Sequence, residues 1–514
     1  MASSTSLPLF NWLDHRATGV LLHPTSLPGD FGIGTFGKEA RAFIDFLHEA
    51  GIGYWQLCPL GPTSYGDSPY QSPSTFAGNP YLIDVLALCS AGLVRQDAIS
   101  PLLFLNQDHV DFGGIYTLKR PILRAAYETW RTASKKPTLP YGDFEAFKSK
   151  HAGWLEPYAL FMALKDHFDG QAWMHWPRTV ASYAAAAKSV LRRKLEVEVE
   201  SHMFSQYLFF GQWRELRDYA RRKKVSVVGD IPIFVALDSA DVWANPDLFQ
   251  FDTKKNQPLA VAGCPPDYFS EDGQLWGNPL YDWEANAADG YAWWLSRLAT
   301  CFELFDVVRI DHFRGFDTYW KIPFGAPNAR TGAWIEGPGL AFFQAVKQTF
   351  PGARIIAEDL GDLKPSVLKL RDETGLPGMA ILQFAFGGKA DNLYLPHNLT
   401  ANQVLYPGTH DNDTSRGWYR SMPSATQDHV RRYLRINGDE IAWDFVRCAY
   451  AAVSRLAVFP LQDLLSLGTE ARFNTPGQPV GNWSWRYRSV QLEQLRRSSA
   501  SYLRELGALY GRLA

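Results

Sequence analysis

Cysteine is scarce in this sequence, and no two cysteines stand close together. The five, Cys58, Cys89, Cys264, Cys301 and Cys448, form no C-x-x-C pair, which argues against a disulfide framework and against a zinc site. Long hydrophobic runs are missing as well: nothing approaches the roughly eighteen consecutive apolar residues of a membrane span. The opening stretch, "MASSTSLPLFNWLDHRA", has neither the basic nor the apolar region of a secretory leader. These absences predict a cytoplasmic protein that does not engage a membrane. Charge of one sign is also lacking. The net charge is -2, and the longest like-charge block, RRKK at 221–224, reads as the solvated, dipole-favoured end of a helix. Nucleic acid is therefore not expected as a partner. No G-x-G-x-x-G follows an early strand-like run, which weakens a dinucleotide fold. There is no convincing repeat and no low-complexity segment.

What the sequence has in excess is aromatic residues. They make up 14%, with 18 Trp, in a chain of 514 residues that is 46% hydrophobic and so able to build a large core. Many lie among Gly, Pro, Asn and Asp, as in "SYGDSPYQSPSTFAGNPY" (64–81) and "GQLWGNPLYDW" (273–283). Aromatics in such loops serve either as lids over a core or as flat platforms for sugar rings. Trp276 is read as a loop platform of the second kind. Trp293 and Trp294, in "YAWWLSRL", sit on a predicted helix and are read as core.

Short apolar or β-branched runs that end in polar clusters recur along the chain: "GVLLH" (19–23), "GYWQLCP" (53–59), "VSVVGDIPIF" (225–234), "FDVVRIDHF" (305–313), "RIIAEDL" (354–360), "MAILQFAF" (379–386), "VLYPGTHDN" (404–412) and "LAVFPLQD" (456–463). Helical patterns precede several of them, over 37–50, 204–222, 291–304 and 340–350. In the second of these, Phe210, Trp213, Leu216 and Ala220 form one buried face. Alternating strands and helices imply parallel strands with right-handed crossovers, and eight units predict a closed (β/α)8 barrel; a doubly wound open sheet is the alternative. About 170 residues separate the second run from the third, far more than one crossover needs, and helical stretches such as 120–130 and 157–168 fill the gap. The predicted organisation is one catalytic barrel domain over 1–514. It carries a helix-rich insertion over 61–224 and a smaller one over 235–290. Only about fifty residues follow the last strand, too few for a C-terminal β-sandwich domain.

In a β/α barrel the groups that do chemistry sit at the C-terminal ends of strands. Those ends carry Asp230, Arg309 with Asp311, Glu358 with Asp359, and His410 with Asp411. One such acid is often a helix cap. Several on neighbouring strands, with Arg and His among them, suit glycosyl transfer, where one carboxyl protonates the leaving oxygen and another attacks or activates water. Arg309 and Asp311, two residues apart, share one side of a strand. A guanidinium so placed is expected to lower the Asp311 pKa.

"RIDHFRG", "AEDLG", "GTHDN" and "GDIPIFV" together resemble the short motifs of the α-amylase clan, and most closely its 4-α-glucanotransferase branch, the amylomaltases or disproportionating enzymes. "HPTSLPGDFGIG", "YGDSPYQSPSTFAGNPYLID", "GQLWGNPLYDW" and "ARFNTPG" are similar to the same branch, so the resemblance spans nearly the whole chain. It implies that Asp311 is the nucleophile, Glu358 the general acid/base and Asp411 the third carboxylate, which grips sugar hydroxyls. His312 and His410 would bind sugar. Arg309 would hold the nucleophile ionised, and Asp230 would orient that arginine. Tyr70 would form the platform under the sugar at the cleavage point, with Tyr65, Ser68, Trp276 and Asn474 as further glucan contacts. Asp359 is expected to face the other side of its strand. The implied substrates are maltooligosaccharides and α-1,4-glucans. No cofactor is implied, and no metal: the "DTKKN" stretch at Asp252 lacks the spacing of a calcium loop. Three functions compete: a retaining 4-α-glucanotransferase, a hydrolase of the same clan, and a non-catalytic glucan-binding module. The complete acid set argues against the last, and the missing β-sandwich favours the first.

Overall fold

The computed structural model describes residues 8–266, 271–361, 363–478 and 480–514, the side chain of Tyr65 excepted. Eight parallel strands form the centre: β1 Ala17–Leu21, β2 Tyr54–Gln56, β3 Ser226–Pro232, β4 Val307–Asp311, β5 Ile355–Ala357, β6 Gly378–Ile381, β7 Gln403–Tyr406 and β8 Leu456–Pro460. Their hydrogen-bonded order is β5-β4-β3-β2-β1-β8-β7-β6. The ring closes where Ala357 N–H donates to the Pro377 carbonyl at 2.9 Å. This is a (β/α)8 barrel, and each of the eight apolar runs supplies one strand. The strands are buried on both faces because helices cover the outside, which is why they read as continuous apolar runs.

Residues two apart along a strand share a face. Val228 and Asp230, Val307 with Arg309 and Asp311, and Ile356 and Glu358 therefore form inward-facing lines that start apolar and end charged. The apolar members, one or more from every strand (Leu21, Tyr54, Val228, Val307, Ile356, Met379, Val404, Leu456), make a cluster of their own inside the ring. A polar tier sits among them, where Tyr406 Oη donates to Gln56 Oε1 at 2.8 Å. The sequence thus fills the bottom of the barrel and reserves its mouth for charge.

The principal helices are α1 Lys38–Glu49, α2 Phe112–Thr132, α3 Ala152–His167, α4 Glu196–Arg222, α5 Ala292–Leu304, α6 Gly339–Thr349, α7 Pro365–Thr374 and α8 Ser489–Leu509. Helices α2, α3 and α4 lie between β2 and β3. The residues Phe210, Trp213, Leu216 and Ala220 of α4 are all buried, and Trp294 of α5 is fully buried, as a core residue should be. After β8 the described residues form helices and loops but no strand. The barrel floor is fastened by Arg512, which is 0% exposed. Its Nε, Nη1 and Nη2 donate to the carbonyls of Tyr450, Ala17, Arg455, Ala452 and Ser454 at 2.6–3.0 Å. Among the described residues no helix is long and apolar enough to cross a membrane.

One element departs from expectation. Trp276 does not lie in a loop but in the strand Gln274–Pro279, at the edge of a four-stranded antiparallel sheet with Ala260–Cys264, Thr318–Pro323 and Ala333–Glu336. The Gly and Asn around it read as loop chemistry. Instead, Gly277 takes a φ of 77° and the register breaks between Val261 and Gly263. These are the marks of a bulged edge strand.

Candidate active site

Arg309 organises the barrel mouth. Its Nη1 lies 2.8 and 2.6 Å from the two oxygens of Asp230, a carboxylate with no exposed side-chain surface, and its Nη2 lies 3.0 Å from Asp311 Oδ1. Nε donates to Met379 Sδ at 3.3 Å. The guanidinium is thus clamped between β3 and β6 and offers one edge to Asp311. Tyr70, in the loop after β2, donates its hydroxyl proton to Asp230 Oδ2 at 2.8 Å. Its oxygen must then accept from His410 Nε2, 2.9 Å away, which fixes that nitrogen as protonated. The two rings stack at 5.2 Å.

Glu358 follows β5. Its Oε2 accepts the His312 N–H at 2.6 Å and its Oε1 the Leu360 N–H at 3.1 Å. His312 adopts a left-handed backbone (φ 55°) to make that bond. The Trp276 ring meets the His312 ring edge-on at 4.9 Å. Asp411 stands beyond β7: Oδ1 accepts from Asn474 Nδ2 at 2.6 Å, and Oδ2 lies 3.3 Å from His410 Nε2. Ser68 Oγ accepts the Tyr70 N–H at 3.2 Å. Asp359 points elsewhere, into the wall between β5, β6 and α7.

The environment separates the three acids. Burial raises Glu358, and the charge of Asp311 adds to it, to about 7. For Asp311 burial also dominates. Arg309 opposes it but does not win, and the carboxyl stands at about 6, not below the usual range as the neighbouring guanidinium alone led us to expect. Burial would raise Asp411 too, but His410, Asn474 and Arg309 hold it down to about 2. His410 resists burial and is raised, through Asp411. Burial pushes His312 down to about 3, leaving a neutral imidazole.

A cavity of about 280 Å³ brings together Ser68, Tyr70, Trp276, Asp311, His312, His410, Asp411 and Asn474. Asp230, Arg309 and Glu358 adjoin it through the contacts above. Tyr65 has its backbone in the turn Tyr65–Asp67, and its side chain lies outside the described residues. The same cavity is lined by residues that sequence reading passed over, Phe234, Asn278 and Trp483. The Trp483 ring packs 5.7 Å from Tyr70 and 5.9 Å from His410. The signal was present, since "GNWSWRYR" places a Trp near Gly and Asn, as "GQLWGNP" does for Trp276. No group of three or more His, Cys, Asp or Glu among the described residues could hold a metal ion. The arrangement offers what glycosyl transfer needs: one carboxyl gripped by a guanidinium, a second that keeps a proton near neutrality, a third that stays ionised, and aromatic walls.

The profile of a family described as 4-alpha-glucanotransferase matches residues 22–492. A 4-alpha-glucanotransferase of Thermus thermophilus is 48% identical over 480 residues, 92% of this chain and 94% of that protein. One from Clostridium butyricum is 43% identical over 495 residues, 96% of this chain and 100% of that protein. A solved structure, an amylomaltase from Streptococcus agalactiae in complex with acarbose, superposes with a TM-score of 0.91 at 38% identity, covering 97% of this chain and 100% of that one. Barrel, site and relatives agree, and the chain belongs to the 4-alpha-glucanotransferase family.

Proposed function

We propose that this glucanotransferase moves a maltooligosaccharyl segment from a donor α-1,4-glucan to the 4-hydroxyl of an acceptor glucan or glucose, with retention, through a covalent intermediate on Asp311. The observation that carries this reading is the unequal wiring of the two central carboxyls. Asp311 lies 3.0 Å from the Arg309 guanidinium, while Glu358, raised by burial and then by the charge of Asp311 against the pull of its two backbone N–H bonds, stands at about 7. Asp311 Oδ attacks the anomeric carbon as the bond to the leaving glucan breaks, and Glu358 gives its proton to the departing oxygen. Esterified Asp311 carries no charge, so the repulsion that helped hold a proton on Glu358 disappears. Glu358 is then a carboxylate ready to take the proton of the acceptor hydroxyl as that oxygen attacks the ester-linked carbon. Asp411, ionised throughout, accepts hydrogen bonds from sugar hydroxyls, and Tyr70 lies beneath the ring. His312, His410, Trp276, Ser68 and Asn474 line the remainder of the path.

We assign one catalytic domain over 1–514 whose insertions, 61–224 and 235–290, wall the cleft. The support is that Ser68 and Tyr70 from the first, and Trp276 and Asn278 from the second, line the same cavity as Asp311. A reducing, cytoplasmic setting is supported by Cys58, Cys89, Cys301 and Cys448, which stand as free thiols.

Transfer and hydrolysis share the first half of the reaction and part at the second. A held acceptor hydroxyl competes with water at about 55 M because binding raises its effective concentration far above that. Given maltotriose alone, the protein should release glucose and build a ladder of longer oligosaccharides at constant total reducing ends, since each bond broken is replaced by one made. Reducing sugar that rises in step with glucose release would mean hydrolysis and overturn the proposal.

A further inference from the structure

Asp359 is the acid beside Glu358 that the chemistry above does not use. It is 5% exposed and faces away from the cleft. Its Oδ1 accepts the Met379 N–H of β6 at 2.7 Å, and its Oδ2 accepts from Arg371 Nη1 of α7 at 2.8 Å. The space it fills is reserved for it: a Cβ on Gly378, the first residue of β6, would stand 2.3 Å from Asp359 Oδ2.

The site of this contact matters because it is the seam of the barrel. Each of the other seven neighbouring strand pairs shares a ladder, whereas β5 and β6 share none among the described residues. They are joined by Ala357 N–H to the Pro377 carbonyl. In a regular parallel ladder the next rung would run from Met379 N–H back to the Ala357 carbonyl. That N–H goes to the Asp359 side chain instead. A carboxylate thus replaces a rung, and Arg371 ties the same carboxylate to the helix outside.

Both catalytic carboxyls hang from this seam. Glu358 is the residue before Asp359. Met379, held through its N–H, presents the sulfur that receives Arg309 Nε at 3.3 Å, and Arg309 grips Asp311. We propose that Asp359 is a positioning residue: it closes the barrel between β5 and β6 and so sets Glu358 and Arg309 relative to each other. The inference rests on the roles given above to Asp311 and Glu358.

Asp359→Ala should lower kcat about 100-fold, the cost of misplacing reacting groups by about 1 Å, with KM changed less than about threefold. The alkaline limb of the kcat profile should also move to lower pH. A loosened seam admits water to Glu358, whose raised pKa comes first from burial and then from Asp311, with Arg309 opposing. Arg371→Ala, which leaves the Met379 bond in place, should keep kcat within about fivefold of wild type. If Asp359→Ala does not fold, Asp359→Asn is read in its place. Its amide can satisfy Met379 or Arg371 but not both, and an intermediate loss with a smaller shift of the limb is expected. A folded Asp359 variant with wild-type kcat and an unmoved limb overturns the inference, as does an Arg371→Ala loss equal to that of Asp359→Ala. A limb that persists in Glu358→Gln would sink the acid role itself. A limb that depends on Glu358 but ignores Asp359 sinks only the positioning.

Discussion

Replacing Glu358 by Gln should change the shape of the pH profile and not only the height of the activity. In the intact site Asp311 stands at about 6 and Glu358 at about 7, and the productive form has the first ionised and the second protonated. kcat/KM should therefore rise as pH climbs through about 6 and fall as it climbs through about 7. With limbs so close, the profile should be a narrow bell. Gln cannot titrate and cannot give a proton. On maltotriose the variant should lose about 10²–10⁴-fold, the usual worth of a positioned acid. On an α-maltosyl fluoride, whose leaving group needs no proton, the first step should survive and the alkaline limb should vanish. The acid limb, which belongs to Asp311, should remain. Fluoride release under kcat/KM conditions from about pH 4.5 to 9 reads all of this in one series. An alkaline limb near 7 that persists in Glu358→Gln would refute the assignment, because the proton it reports would belong to another group.

Asp311→Asn should lose at least about 10³-fold in kcat while binding maltooligosaccharides with little change, since an amide of the same shape cannot attack; more than a tenth of wild-type turnover would remove it from the mechanism. Tyr70→Phe keeps the ring but removes a hydrogen bond to a buried carboxylate, worth about 1.5–3 kcal/mol, so kcat should fall about tenfold or more with KM nearly unchanged. Steady-state kinetics on maltotriose check it, and a change confined to KM would mean that the hydroxyl binds sugar instead of holding Asp230 and His410. Arg512→Ala strips the donors from five carbonyls and should cost roughly 5 kcal/mol of stability at about 1 per bond, read as a drop in the urea midpoint. A loss under about 1 kcal/mol would show that water replaces the guanidinium fully.

The eight strands were legible because a strand buried on both faces has no choice but to be apolar, and because its polar end marks the barrel mouth. The acids at 230, 311, 358 and 411 were legible for the same reason. Less legible was whatever depends on partners far away in the chain. The strand around Trp276 pairs with Ala260–Cys264, which in turn pairs with Thr318–Pro323. Local chemistry rich in Gly and Asn hid that sheet. The Asp311 pKa was misjudged because its guanidinium neighbour is written in the sequence two residues away, whereas the burial that outweighs it is made by the whole fold. Trp483 had a readable setting, but only the structure brings it against Tyr70 and His410.

Closing the ring between β1 and β8 pairs Ala17 with Leu456. This separation becomes a waiting time when the chain is made. At about 5–20 residues per second, the first strand leaves the ribosome roughly 20–90 seconds before its second partner exists. Through that interval β1 has one edge with nothing to pair against, and a free apolar edge is a template for any other chain that passes. Arg512, which fastens β1 to the turn before β8, arrives later still. Shielding of the nascent chain over that interval should therefore raise the yield of closed barrels, a gain separate from the stability of the finished protein.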